Sequence, residues 1–76
     1  MKLIPINFKT LSKVLAKLNY YPVRQKGSHV IFENNFTRKI TVVPRHNCDI
    51  GVGLLSMILR EIGVPREEYF KILKEI

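Results

Sequence analysis

Residues 23–33, with the sequence VRQKGSHVIFE, decide how the rest of the chain is arranged. Two short extended runs flank the pair Gly27-Ser28, and this pattern is typical of a β-hairpin with a two-residue turn. A glycine in the first position favours a type II′ turn. That turn sets the register, which pairs Lys26 with His29, Gln25 with Val30, Arg24 with Ile31 and Val23 with Phe32.

The register also sorts the side chains between the two faces of the hairpin, because directly opposed residues share a face. We expect Val23, Val30 and Phe32 to belong to the hydrophobic core. The opposite face carries Arg24, Lys26, His29 and Ile31. The hairpin therefore predicts a core face and a basic face that contains one histidine.

An amphipathic helix is predicted before the hairpin, from Phe8 to Leu18. Asn7 is a plausible N-cap, and Pro22 ends the region, because the residue before a proline avoids the helical conformation. The apolar stripe has helical spacing and consists of Leu11, Val14, Leu15 and Leu18.

A third strand is predicted from Arg38 to Val43, after a turn at residues 34–37. A four-residue loop that paired Glu33 with Arg38 would turn Ile40 and Val42 away from the core. We therefore expect an odd-length loop or a bulge between the strands.

Two more helices follow. The second runs from about Gly53 to Ile62 and stops at Gly63, and a short last helix begins near Pro65. The last helix is expected to pack against the rest of the domain through Tyr69, Phe70 and Leu73. The order α-β-β-β-α-α predicts one α+β domain over residues 1–76, a three-stranded antiparallel sheet with helices on one face.

Length and composition exclude several classes of protein. The chain has 76 residues, 46% of them hydrophobic and 25% charged. A chain of this length is too short for a dinucleotide-binding dehydrogenase, a β/α barrel or a kinase. No apolar run approaches the ~18–20 residues of a membrane span, and no signal peptide is apparent. The single cysteine, Cys48, cannot form an internal disulfide, so we expect a cytoplasmic protein.

Charge is distributed unevenly along the chain. The net charge is +7, yet residues 1–48 contain nine basic groups and one acidic group. A basic region on a small domain indicates a polyanionic partner, most often nucleic acid. The alternative is a solvated basic face that only aids solubility.

The sequence predicts neither a metal nor a cofactor. His29, His46, Cys48 and Asp49 match no zinc-binding pattern. The Gly51-Val52-Gly53 string lacks the third glycine of a dinucleotide fingerprint. His29 is the strongest chemical candidate, because an imidazole among basic residues can act as a general base on a phosphate substrate. The alternative is an ordinary surface histidine.

Three strings in this order resemble one family. Residues 24–32 (RQKGSHVIF), 43–46 (VPRH) and 53–64 (GLLSMILREIGV) are similar to motifs of the HicA toxins, the mRNA interferases of HicAB toxin–antitoxin pairs. The resemblance covers about residues 3–73. Departures are Asn19-Tyr20, where family members commonly have glycine and an aromatic residue, and Pro65, where many have serine or threonine.

The resemblance implies a fold like that of double-stranded-RNA-binding domains, a catalytic His29, metal-independent cleavage of mRNA and a HicB-like antitoxin partner. His46 could assist His29 or have a structural role. A non-catalytic RNA-binding module is the alternative function. The candidate phosphate contacts are Arg24, Lys26, Ser28, Lys39 and Arg45, each of which could instead be a solvated charge or a turn residue.

Overall fold

A computed structural model describes residues 2–45 and 47–76. The predicted α+β order is confirmed, with a three-stranded antiparallel sheet and three helices. The elements are α1 (Phe8–Lys17), β1 (Tyr20–Lys26), β2 (His29–Asn34), β3 (Ile40–Pro44), α2 (Val52–Ile62) and α3 (Arg66–Lys74). Within the described ranges, no helix is long and apolar enough to cross a membrane.

Two helix ends follow capping residues that the sequence predicted, Asn7 for α1 and Gly63 for α2. The Oδ1 atom of Asn7 accepts a hydrogen bond from the backbone N–H of Thr10 at 2.8 Å, which satisfies one free donor of the first turn of α1. Asn19 and Gly63 adopt left-handed backbone conformations, with φ of 69° and 76°. These conformations stop α1 and α2 where the chain must turn.

The register next to the hairpin turn is confirmed. Lys26 pairs with His29, Gln25 with Val30 and Arg24 with Ile31. Gly27 has φ of 60°, as the first central position of a type II′ turn requires. The turn therefore places His29 at the first position of β2, opposite a lysine.

The predicted core position of Val23 is wrong. A bulge lies between Pro22 and Arg24, so that Pro22, and not Val23, pairs with Phe32. The Val23 side chain is 56% exposed. Proline has no backbone N–H to donate to a ladder and is therefore favoured at bulges and edge strands.

The predicted orientation of β3 is also wrong. Glu33 pairs with Ile40, which leaves Ile40 56% and Val42 41% exposed. Thr41 and Val43 take the core positions instead. The Thr41 hydroxyl donates to a carboxylate oxygen of Glu61 in α2 at 2.8 Å, so this buried polar group is satisfied.

One side chain, that of Asn34, organises the loop between β2 and β3. Its Oδ1 accepts from the backbone N–H groups of Phe36 and Thr37, and its Nδ2 donates to the Leu18 carbonyl at the end of α1. These bonds fix the loop without the odd length or the bulge that was expected. The register of β3 follows from this polar anchor.

The sheet thus has two different faces. The covered face packs under the helices through Val30, Phe32, Thr41 and Val43. The helical layer buries apolar residues against it: Leu11, Val14, Leu15, Leu55, Ile58, Leu59 and Tyr69. The other face, here called the open face, carries Tyr21, Arg24, Lys26, His29, Ile31, Glu33, Ile40 and Val42.

Candidate nucleic-acid interface

His29 lies on the open face, directly after the hairpin turn, and its side chain is exposed. Its neighbours across the sheet are Lys26 on β1 and Pro44 on β3. Directly opposed residues in antiparallel strands have Cα atoms about 5 Å apart. Lys26 is therefore the cross-strand neighbour of His29 on the same face, and the His29 side chain is open to solvent.

Arg24 extends this basic cluster by one row of the sheet. It is exposed and pairs with Ile31, two residues along β2 from His29, on the same face. The structure thus brings together three of the sequence-predicted site residues, Arg24, Lys26 and His29.

Ser28 and Arg45 are joined through the backbone. The Arg45 N–H donates to the Ser28 carbonyl, which ties the chain leaving β3 to the hairpin turn. The Arg45 guanidinium is directed away from the open face and lies 5.4 Å above the Phe8 ring, a distance at which a cation attracts an aromatic face. Arg45 is thus near the turn, but its charge is on the covered side.

Lys39 does not join this cluster. It directly precedes β3, and its carbonyl accepts from the N–H of Asn34 at the far end of β2. The two ends of β2, His29 and Asn34, are about 17 Å apart at ~3.4 Å per residue. His46, the possible assistant of His29, lies outside the described residues.

The hairpin end of the sheet carries an excess of positive charge. Glu33 is the one acidic residue in positions 1–48, and its carboxylate is 2.8 Å from the Arg38 guanidinium. Both lie near the end of the sheet opposite to His29. No acidic group from this part of the sequence therefore offsets Arg24 and Lys26 beside the histidine.

Sequence analysis placed Ile31 on the open face but missed Ile40 and Val42. Ile31 is opposite Val42, and Ile40 lies two residues before Val42 on the same strand. We call Ile31, Ile40 and Val42 the apolar strip. Ile40 and Val42 are among the exposed large hydrophobic residues, as is Tyr21 in the adjoining row. The run ITVV at residues 40–43 offers apolar side chains to both faces, so periodicity alone could not assign them.

A second missed feature is a cleft between α1 and the hairpin, on the covered side of the turn. Its lining includes Phe8, Ser12, Gln25 and Arg45. The side-chain amide of Gln25 donates to the carbonyl of Gly27 at 3.0 Å. No local sequence signal marks this cleft, because it forms where segments distant in sequence meet.

Within the described residues, no group of three or more His, Cys, Asp or Glu side chains could hold a metal ion. The chemistry that the hairpin residues themselves offer is proton transfer by an imidazole on the same face as two exposed cationic side chains. Such an arrangement suits a reaction that builds negative charge on a phosphate, because cations stabilise the charge that develops.

Comparison with models of known protein families shows the family of this chain. A family model described as the HicA toxin of bacterial toxin–antitoxin systems matches residues 8–64. The match includes α1, the whole sheet and α2. No curated protein matches the chain.

Proposed function

Because the chain belongs to the HicA family of bacterial toxins, we propose that it is an endoribonuclease that cleaves mRNA without a metal ion. Family membership implies an antitoxin partner, and we propose that this partner is of the HicB type. The observation that carries the proposal is the exposed His29 beside Lys26 and Arg24 on the open face. An mRNA substrate would place this activity in the cytoplasm.

The proposed reaction uses the RNA's own 2′-hydroxyl as the nucleophile. His29 accepts the 2′-hydroxyl proton, and the oxygen attacks the adjacent phosphorus. Lys26 and Arg24 stabilise the negative charge of the phosphorane. The bond from phosphorus to the 5′-oxygen then breaks, and that oxygen takes up a proton. The products are a 2′,3′-cyclic phosphate and a 5′-hydroxyl.

The proposed neutralisation is occlusion of His29. An antitoxin with an acidic surface would meet Arg24 and Lys26, while the apolar strip would supply a contact that RNA does not need. The strip supports a protein partner on this face, because exposed apolar side chains of this kind commonly mark protein interfaces. A complex that leaves His29 open to solvent would contradict this mode of inhibition.

The proposal is tested by cleavage of a long single-stranded RNA in EDTA, with binding measured in parallel. His29→Ala should lower the cleavage rate about 10²- to 10⁴-fold, the usual contribution of a general base, and should retain most of the RNA affinity. Asn35→Ala, an exposed change at the opposite end of the sheet, is the control and should cleave like the wild type.

End analysis of the products provides a second readout. Cyclic phosphates and 5′-hydroxyls are expected. Products with 5′-phosphates and dependence on a divalent metal would exclude the mechanism. If the wild type and His29→Ala both bind RNA and neither cleaves it, the chain acts as a non-catalytic RNA-binding module.

A further inference from the structure

The cleft between α1 and the hairpin has the size of a site for one small ring system. Its volume is about 270 Å³, slightly below the range of about 300–1,000 Å³ that is usual for small-molecule pockets. We call it the hairpin cleft. Its apolar lining includes Phe8, Pro22 and Phe32, and the Phe8 and Phe32 rings are 6.1 Å apart between centroids.

The polar residues of the hairpin cleft suit the edge of a nucleobase. Gln25 carries a planar amide, which keeps one N–H and its oxygen free besides the bond to Gly27. Ser12 carries a hydroxyl, and Arg45 carries a planar guanidinium. Unpaired RNA bases are recognised in this way, by stacking on aromatic rings or guanidinium planes and by hydrogen bonds to their edges. The Arg45 guanidinium lies above the Phe8 ring, so a base that enters the cleft would stack on this guanidinium.

Two hydrogen bonds connect the hairpin cleft to the turn that carries His29. Gln25 donates from its side chain to the Gly27 carbonyl, and Arg45 donates from its backbone to the Ser28 carbonyl. His29 and the hairpin cleft are on opposite sides of the same two-residue turn. A strand that placed a phosphate at His29 and continued around the turn would bring a neighbouring nucleotide to Arg45.

We propose that the hairpin cleft is a subsite for one unpaired nucleobase that flanks the cleaved phosphate. The position of the subsite next to a cleaved phosphate rests on the proposed ribonuclease activity, whereas base binding itself does not. A base in a duplex is stacked and paired and cannot enter the cleft, so the subsite selects single-stranded RNA. Gln25 is the residue that determines specificity, because it reads the base edge, and Phe8 supports the Arg45 guanidinium on which the base stacks.

The test uses the His29→Ala chain, which should bind RNA without cutting it, and short single-stranded homopolymers of each base. Binding should differ between bases by up to about tenfold, the effect of one hydrogen bond from Gln25 to the edge of the favoured base. Adding Gln25→Ala should reduce this difference to less than about twofold. Asn35→Ala, which removes an exposed amide at the other end of the sheet, is the matched control and should leave the preference unchanged.

A second variant distinguishes loss of RNA binding from loss of folding. Phe8→Leu retains an apolar side chain at a half-buried position and removes the ring beneath the Arg45 guanidinium. It should weaken binding of every homopolymer while the circular dichroism spectrum stays that of the parent chain. Equal affinity for all four homopolymers, unaffected by either variant, would overturn the subsite.

The two proposals fail in different ways. Suppose that the wild-type chain cuts RNA and that neither the wild type nor Gln25→Ala prefers any base. That result retains the proposed function and overturns the subsite. A chain that does not cut RNA but shows a base preference that depends on Gln25 retains the subsite and overturns the ribonuclease proposal.

Discussion

The two faces of the sheet are made from similar residues and have different surroundings. The covered face buries Phe32 and Val43 beneath α1 and α2, whereas the open face leaves Ile40 and Val42 exposed. Both faces of β3 are rich in β-branched side chains, which suit a strand regardless of burial. What separates the faces is therefore the helices that pack on one of them.

This difference shows that apolar side chains on the open face are not required by the core. Their exposure costs solubility, and the basic residues beside them compensate for it. A face that carries both an apolar strip and the residues Arg24, Lys26 and His29 is suited to two partners. RNA would use the charged end, and a protein would use the strip as well.

The largest expected difference between the two faces is in how much a substitution lowers the free energy of unfolding. Phe32 is 1% exposed, so Phe32→Ala should lower the free energy of unfolding by about 3–5 kcal/mol, through lost burial and a cavity. Val42→Ala, on the open face, should cost about 0.5 kcal/mol or less. Urea denaturation followed by circular dichroism measures both. Equal losses would mean that the open face is buried in solution, as in a self-associated chain.

A smaller effect is expected from a charge introduced into the apolar strip. Ile40→Asp should weaken binding of the cognate antitoxin about tenfold or more, because it places a carboxylate in a desolvated contact. RNA cleavage in the absence of antitoxin should remain. Ile76→Asp introduces the same charge at another exposed isoleucine, 44% accessible and away from the strip, and is the control. Titration calorimetry with the antitoxin checks both variants, and unchanged affinity of Ile40→Asp would remove the strip from the interface.

The smallest effect concerns ionisation in the helical layer. Burial raises the pKa of Tyr69 above its ordinary value of 10.0. The unfolded chain thus loses this proton first, so the stabilisation is fully present below about pH 10 and is lost as the pH rises through the folded pKa. Tyr69→Phe should therefore lose less stability than the wild type between neutral pH and pH 11. Denaturation at several pH values tests this, and Tyr21→Phe on the open face should behave like the wild type.

Local sequence signals predicted much of the fold, because short-range chemistry determines those parts. Asn7, Asn19 and Gly63 mark helix ends through their own hydrogen bonds or backbone angles. The Gly27-Ser28 turn fixed three pairs of the hairpin in the same way. The prediction failed at Val23, where the missing N–H of Pro22 gave the relevant signal, and at β3, where a polar residue, Thr41, takes a core position with Glu61 as its partner.

The candidate site was predictable in part for a related reason. Arg24, Lys26 and His29 fall together because one turn sets their register. Lys39 and Arg45 were chosen by charge, and charge does not specify position. The hairpin cleft needs α1 to pack against the hairpin, so no single stretch of sequence contains it.

The strand order has a consequence for the order in which parts of the chain fold. The strands lie in the sheet in their order along the chain, β1-β2-β3, and each pairs with its neighbour in sequence. The bridge between Ile6 and Ile50 joins more distant segments. Each strand pairing therefore closes a short loop, whereas the bridge closes a loop of about 44 residues and costs more chain entropy. We expect the sheet to form before the bridge as the chain folds.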